Sequence, residues 1–193
     1  MISLNIFSRC PFSGNPKTRL KALLTKDERS FITMYMLSNI LDEISCFKND
    51  VKTTLWIYPN IKNDWFQKIK KKYKINIEVQ VGSSLCERMN NCMILESTRC
   101  DQTILVGSDI PTLTNEILLD AFNILSSKDT VVGQSSDGGF YLFGVNGSYN
   151  NLIDCFQPMT FLNLQKNIDS QMKSIGFTKV LKDIDTPKDL LVI

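Results

Sequence analysis

The sequence contains no histidine among its 193 residues. This absence excludes serine triads, Cys–His pairs and imidazole general bases, so any chemistry must use carboxylates, cations and metal ions. The six cysteines are scattered and form no CxxC pair. Because structural zinc sites need clustered Cys or His ligands, we do not expect a site of that kind.

Long apolar runs are missing too. The longest apolar region, residues 31–41, is interrupted by Thr33, Ser38 and Asn39 and is too short to span a bilayer. The first nine residues lack the basic start and long apolar stretch of a signal peptide, and they predict a strand instead. We therefore expect no membrane span and a cytoplasmic protein with reduced thiols.

Charge of one sign does not dominate either. A net charge of +2 gives no bulk attraction to nucleic acid or anionic lipid. The dense block of lysines within residues 68–74 is accompanied by Trp65, Phe66, Ile69 and Tyr73, which supply an apolar face. This pattern is typical of a surface helix with a solvated polar face, so we expect no nucleic-acid partner.

Apolar segments alternate with helical patterns along the whole chain, and no linker or repeat divides it. Strands are predicted at 4–8, 53–58, 75–81, 103–106, 130–132, 140–145 and 178–181. Helices are predicted at 26–46, 85–95, 115–125, 162–175 and 187–191, with one more around the lysine block. The alternation predicts a single α/β domain, 1–193, whose sheet is covered by helices on its faces.

The segment 107–111, with sequence Gly-Ser-Asp-Ile-Pro, follows the β-branched run of the fourth predicted strand. Gly107 allows a sharp turn, Pro111 stops the strand, and Asp109 is left at the strand's carboxyl end, where open α/β sheets bind ligands. A carboxylate held there is a typical ligand for a divalent cation that clamps nucleotide phosphates. The alternative is structural: Asp109 would only help to cap the helix that begins near Asn115, and the N-cap residue itself would be Thr112 or Thr114.

The loop after the first predicted strand carries three cations, Arg9, Lys17 and Arg19, around Gly14 and two prolines. Backbone N–H groups of such a loop can point at an anion, and arginine can grip phosphate oxygens in a fork. The loop matches neither the Rossmann nor the Walker phosphate-binding pattern. It is interpreted as a phosphate site of another kind, or else as a basic surface turn.

Two further segments place acidic residues beside turns. Asp137 precedes Gly138 and Gly139 at the start of a strand, which is typical of a hairpin turn, a close ligand approach, or both. In residues 183–190, Thr186 and Pro187 predict a helix start, so capping explains much of that segment. Asp185 could nevertheless share a cleft with Asp109, giving a two-carboxylate metal site opposite a basic phosphate loop.

Together these segments resemble a family of bacterial GT-A-type transferases, glycosyltransferase-like proteins of the nucleotide-diphospho-sugar transferase superfamily that are sometimes associated with radical-SAM proteins. The matching blocks are Gly14 with 17–20, Glu87-Arg88-Met89, 107–111, 137–142 and 183–190. The resemblance implies a three-layer α/β/α sandwich with a mostly parallel mixed sheet. This sequence differs from the family pattern at Cys86, where the family usually has glycine. It also differs at residues 158–161, where the family usually has Trp-Ser-Thr near the acceptor.

The residues themselves and the resemblance together give the expected residue roles. Asp109 and Asp185 are expected to hold Mg²⁺ or Mn²⁺, with Asp109 and Arg19 acting in catalysis. Asp137 is the expected base, since a carboxylate must replace histidine. The residues expected to contact the nucleotide are Arg9, Gly14, Lys17, Arg19, Arg88, Ser108, Gly138 and Gly139. Glu87 is left open, and Met89 also fits the apolar stripe of its helix.

The expected function is glycosyl transfer from a nucleotide-sugar to a small-molecule acceptor. The first alternative is nucleotidyl transfer from a nucleoside triphosphate with release of pyrophosphate, since enzymes of the same fold share the closing Asp-Ile-Asp-Thr-Pro segment. The second is a non-catalytic nucleotide-binding protein. Assembly into a homodimer stays open.

Overall fold

The computed structural model describes residues 1–13, 16–47, 51–60 and 62–192, apart from the side chains of Leu191 and Val192. The strands are β1 (Ile2–Arg9), β2 (Val51–Tyr58), β3 (Asn76–Val79), β4 (Gln102–Gly107), β5 (Thr130–Gln134), β6 (Phe140–Asn146) and β7 (Ile175–Phe177). The α-helices are α1 (Lys26–Ile44), α2 (Asp64–Tyr73), α3 (Leu85–Ser97), α4 (Asn115–Leu125) and α5 (Phe161–Ser170). Short 3₁₀ helices cover Thr18–Leu20 and Pro187–Val192.

The strands form one mixed sheet in the order β3-β2-β1-β4-β6-β5-β7. Only β6 runs antiparallel to its neighbours among the described strands. One face of the sheet packs against apolar residues of α1, α2 and α4, and the other packs against α3 and α5. The prediction of a three-layer α/β/α sandwich is confirmed.

Local sequence signals explain where the elements begin. Helix α1 starts at Lys26 because Thr25 and Glu28 form a capping box, in which each side chain accepts from the other residue's backbone N–H. Phe66 and Ile69 of α2 are buried while its lysines are exposed, as the pattern predicted. The predicted hairpin between β5 and β6 is confirmed by their antiparallel pairing. No helix in the described part of the chain has the length and hydrophobicity needed to cross a membrane.

The carboxyl-terminal elements differ from the prediction. Helix α5 ends at Ser170 rather than at 175, since Met172 adopts a left-handed backbone with φ of 52° that a helix cannot contain. The last strand is Ile175–Phe177, and the prediction of a strand at 178–181 is wrong. That segment still runs beside β5, because the Leu181 N–H donates to the Gln134 carbonyl. Its pairing with β5 is an isolated bridge and not a regular ladder.

Candidate active site

The main cleft lies where the chain reverses its direction of travel across the sheet. From β1 the chain passes to β2 and β3 on one side, and β4 then starts the other side directly next to β1. The carboxyl ends of two such strands border a crevice, which is the usual ligand site of open α/β sheets. A cleft of about 610 Å³ opens at this point.

Most of the predicted site residues line this one cleft. They are Arg9, Lys17, Arg19, Arg88, Ser108, Asp109, Asp137, Gly139 and Asp185. Gly138 forms the adjacent turn, with φ of 91°, and does not line the cleft. Gly14 lies outside the described residues. The sequence blocks therefore converge in space, although their ligands and roles remain predictions.

Four charged groups form the centre of the cleft. The Lys17 ammonium donates to Asp109 Oδ2 at 2.9 Å and lies 3.5 Å from Asp185 Oδ1. Arg19 Nη1 donates to the other oxygen of Asp185 at 2.5 Å. The Lys17 side chain is only 10% exposed. Two carboxylates from distant turns thus share one cation.

Backbone contacts explain why these turns meet. Ile184 N–H donates to the Asp109 carbonyl at 3.0 Å, and the Ile184 carbonyl in turn accepts from the Lys17 ammonium at 2.6 Å. Lys17 itself has a left-handed backbone, with φ of 46°, directly before the first 3₁₀ helix. A non-glycine residue pays about 1 kcal/mol for this conformation. The surrounding hydrogen bonds hold Lys17 there and aim its side chain between the acids.

Capping accounts for Asp189 rather than for Asp109. Asp189 Oδ2 accepts from the backbone N–H groups of Asp185 and Thr186, which shapes the turn before the last 3₁₀ helix. The Lys182 ammonium holds the pKa of Asp189 well below its usual value, with help from Thr186. Thr114 occupies the N-cap position of α4 without a side-chain capping bond, and the Asn115 N–H donates to Glu43 Oε2 instead. The Asp109 carboxylate accepts from Lys17.

Arg88 lies on the β1–β2–β3 side of the cleft and is almost fully buried. Its guanidinium stacks 3.9 Å from the centre of the Tyr58 ring, and its Nε donates to Gln80 Oε1 at 3.1 Å. Gln80 is anchored by donating to the carbonyls of Ser8 and Trp56. Tyr58 and Gln80 were missed by sequence reasoning, because only the fold brings the ends of β2 and β3 to Arg88.

Glu87 has a local structural contact instead. Its carboxylate accepts from the backbone N–H and the hydroxyl of Ser83 at the start of α3, and these bonds lower its pKa. Met89 is buried in the core and also borders the cleft. Ser108 Oγ donates to Ser8 Oγ at 2.9 Å, which ties the ends of β4 and β1 together.

The β6–β5–β7 side of the cleft carries acidic and apolar groups. Asp183 accepts from the buried Ser135 hydroxyl at 2.8 Å, and burial raises the pKa of Asp183. Asp137 is exposed and accepts from Gly139 N–H at 2.9 Å. Asp183 was not among the predicted site residues. The signal available in the sequence was that Asp183 is a second aspartate, two positions before Asp185.

A disulfide joins Cys86 at the start of α3 to Cys155 in the segment before α5. The expectation that all thiols are reduced is wrong for this pair. Sequence spacing could not reveal it, because 69 positions separate the two residues and only the packing of α3 against this segment brings them together. The same segment continues to Met159, which borders the cleft.

Replacing Cys155 by serine is expected to lower the free energy of unfolding of the oxidised protein by about 2–4 kcal/mol, because the cross-link restricts the unfolded chain. Thermal unfolding should show the midpoint fall by about 5–15 °C. A thiol reductant should lower the wild-type midpoint equally and leave that of C155S unchanged. The matched control is C46S, which removes an exposed free thiol and should change nothing. A wild-type midpoint insensitive to reductant would contradict the cross-link.

Comparison with known proteins identifies relatives over most of the chain. A family model described as "Uncharacterized protein conserved in bacteria (DUF2064)" matches residues 45–161. A 2-phospho-L-lactate guanylyltransferase from Archaeoglobus profundus is 28% identical over 185 residues, which is 92% of this chain and 77% of that protein.

Solved structures confirm the fold. A candidate nucleotide-diphospho-sugar transferase from Desulfovibrio desulfuricans G20 superposes with a TM-score of 0.87 at 24% identity, covering 99% of this chain and 85% of the other. A 4-diphosphocytidyl-2C-methyl-D-erythritol synthase from Anaerococcus prevotii gives 0.65 at 14% identity, covering 100% and 93%. A Mycobacterium tuberculosis protein solved with manganese gives 0.52 at 15% identity, covering 99% and 96%. These structures show the fold alone. The prediction of a transferase is confirmed with the guanylyltransferase relative, which matches 92% of this chain.

Proposed function

The chain belongs to the DUF2064 family, and from this premise we propose that it is a metal-dependent nucleotidyltransferase, which joins a nucleoside monophosphate to a small acceptor and releases pyrophosphate. The observation that carries the proposal is that Asp109 and Asp185 share the Lys17 ammonium, in the cleft at the carboxyl ends of β1 and β4. The guanylyltransferase relative, which matches 92% of this chain, favours nucleotidyl over glycosyl transfer.

The residues of the cleft fit a metal–nucleotide complex better than a metal alone. The described residues contain no cluster of three or more Asp, Glu, Cys or His side chains that could hold an ion. Mg²⁺ is commonly bound by one or two carboxylates together with substrate phosphates and water. Asp109 and Asp185 would supply those two carboxylates, and the triphosphate would supply the other ligands.

The reaction requires the acceptor hydroxyl oxygen to attack the α-phosphorus. The bond between the α-phosphorus and the bridging oxygen to the β-phosphate breaks, pyrophosphate leaves, and the hydroxyl proton passes to a carboxylate or to water. A bound divalent cation would neutralise charge on the phosphate oxygens. Lys17 and Arg19 would stabilise the negative charge that develops on the departing pyrophosphate.

The other side chains of the cleft position the nucleotide. Arg9 and Arg88 flank Tyr58, with their guanidinium carbons 5.8 Å and 3.9 Å from its ring centre. Arg88 has a buried stem and a fixed orientation, so it loses little conformational entropy when it contacts an anion. Ser108 and Gly139 border the same space. The Ser108 hydroxyl oxygen can accept a hydrogen bond, whereas the Gly139 N–H and carbonyl are engaged by Asp137 and Ser135.

The test begins with thermal unfolding in Mg²⁺ or Mn²⁺, using a panel of nucleoside triphosphates and a panel of nucleotide-sugars. A triphosphate present at a hundred times its dissociation constant stabilises the folded state by about 2.7 kcal/mol, which raises the midpoint by about 5–10 °C. Pyrophosphate release is then measured with pooled small hydroxyl-bearing acceptors.

Each outcome separates one function from the others. Release of pyrophosphate that depends on both acceptor and metal supports nucleotidyl transfer. Loss of sugar from a nucleotide-sugar, without pyrophosphate, overturns it in favour of glycosyl transfer. A nucleotide-induced shift that needs no metal, with no turnover of either donor, overturns it in favour of a non-catalytic nucleotide-binding protein.

A further inference from the structure

Charge is divided unevenly along the cleft. Among the described residues that line it, lysine and arginine occur only at positions 9, 17, 19 and 88. Arg9 and Arg88 lie on the β1–β2–β3 side, while Lys17 and Arg19 are already engaged by Asp109 and Asp185 at the centre. The β6–β5–β7 side contributes Asp137 and Asp183 and no cation from the described residues.

The same side also has an apolar surface. Phe140, at the start of β6, is half-buried and packs edge-on against Phe143 in the core. Met159 lies partly buried against the same cluster. Since β6 runs antiparallel to β4, its first residue lies at the same edge of the sheet as Asp109. An acceptor approaching from this side therefore meets carboxylates, the Phe140 ring and the Met159 thioether.

A phosphorylated or carboxylic acceptor would be poorly matched to these groups. An anion held away from water is stabilised by paired cations or multiple donors, and like charges destabilise it. The name of the guanylyltransferase relative refers to 2-phospho-L-lactate, which bears both a phosphate and a carboxylate. The acidic side of this cleft lacks the lysine or arginine that such a molecule would need.

We propose that the acceptor is a small hydroxyl-bearing molecule with no anionic group, of the amino-alcohol class, whose ammonium group faces Asp137 and Asp183 and whose carbon skeleton packs on Phe140 and Met159. This inference rests on the proposed function, which it deepens by naming the acceptor class. The nucleotide occupies the cationic side, and the acceptor hydroxyl enters from the acidic side. Charge selects the acceptor by repelling acids and attracting amines.

The test uses three probes with one carbon skeleton: 1-amino-2-propanol, 1,2-propanediol and lactate. Each has a hydroxyl group on its second carbon. The first carbon bears an ammonium group in the amino alcohol and a hydroxyl group in the diol, and it is the carboxylate carbon in lactate. Dissociation constants are measured by NMR titration with Mg²⁺ and a non-hydrolysable triphosphate. We expect the amino alcohol to bind at least about tenfold more tightly than lactate, a difference of about 1.4 kcal/mol.

Two variants link that preference to the acidic side. Asp137→Lys reverses an exposed charge and is expected to reduce or invert the preference by about tenfold or more. Asp169→Lys makes the same change on the exposed surface of α5, outside the cleft, and should leave the preference unaltered. Lactate binding as tightly as the amino alcohol in the wild type, or no binding by any probe, overturns the proposal. The triphosphate's own shift in melting temperature tells failure of the proposed function from failure of this inference.

Discussion

Replacing Asp109 by asparagine is expected to lower kcat/KM for pyrophosphate release by about 10²–10³-fold. The substitution keeps the shape of the side chain but removes one of the two carboxylates that would hold the metal. The fold should survive, because the pair that Asp109 forms with Lys17 leaves its own side chain 40% exposed, and pairs of that kind contribute about 0–1 kcal/mol. Steady-state kinetics with varied Mg²⁺, together with thermal unfolding, measure both effects.

The matched control is Asp101→Asn, at the opposite end of the same strand. Asp101 is exposed and pairs with the amino-terminal ammonium of Met1, far from the cleft. Its replacement should leave both activity and nucleotide binding unchanged. If Asp109→Asn instead unfolded the protein, or kept full metal-dependent activity, the carboxylate would be a structural partner and the metal role assigned to it would be wrong.

The strands and helices that position the site were predictable because their signals are local. Helix α4 runs from Asn115 to Leu125, as its apolar periodicity predicted, and α1 begins at the predicted Lys26. Strand β7 was misplaced by three residues, since an edge strand of three residues with little burial carries almost no pattern.

The convergence of the acids was predictable only in part. Glycine, proline and aspartate at the ends of predicted strands indicated a shared edge of the sheet, and the structure brings Asp109 and Asp185 within reach of one ammonium. The partner itself could not be foreseen, because Lys17 reaches the acids through a left-handed turn and a bond to the Ile184 carbonyl. Those contacts depend on the packing of three distant segments.

Two of the missed cleft residues have no chemical motif of their own. Gln80 and Tyr58 orient Arg88, but a glutamine and a tyrosine at strand ends carry no signal in a single sequence. The resemblance led us to expect glycine at the position of Cys86, and in the structure Cys86 is bonded to Cys155. Local backbone preferences can be read from neighbouring residues in the sequence. Contacts between distant residues depend on the whole fold, and for that reason these were not predicted.

Replacing Lys17 by methionine is expected to change how the protein responds to metal alone. In the wild type the ammonium already lies between Asp109 and Asp185, so Mg²⁺ without nucleotide must compete with it and should barely raise the melting temperature. In the variant Asp109 loses its ammonium partner and Asp185 keeps only Arg19, which costs about 1–2 kcal/mol for a partly buried site. Mg²⁺ should recover that loss and raise the midpoint by several degrees, while pyrophosphate release falls by about 10²-fold.

Methionine is the informative replacement because it retains most of the length of the side chain and the cost of the left-handed backbone at position 17. Glycine would relieve that cost and confound the comparison. Lys72→Met, which removes an ammonium paired with the exposed Asp42, is the control, and it should show no response to Mg²⁺ at matched ionic strength. An equal response of wild type and K17M would mean that ammonium and metal do not share the carboxylates. A response confined to K17M would mean that, in the wild type, nucleotide phosphates must draw Lys17 away before the carboxylates can bind the metal, so that metal and nucleotide enter together.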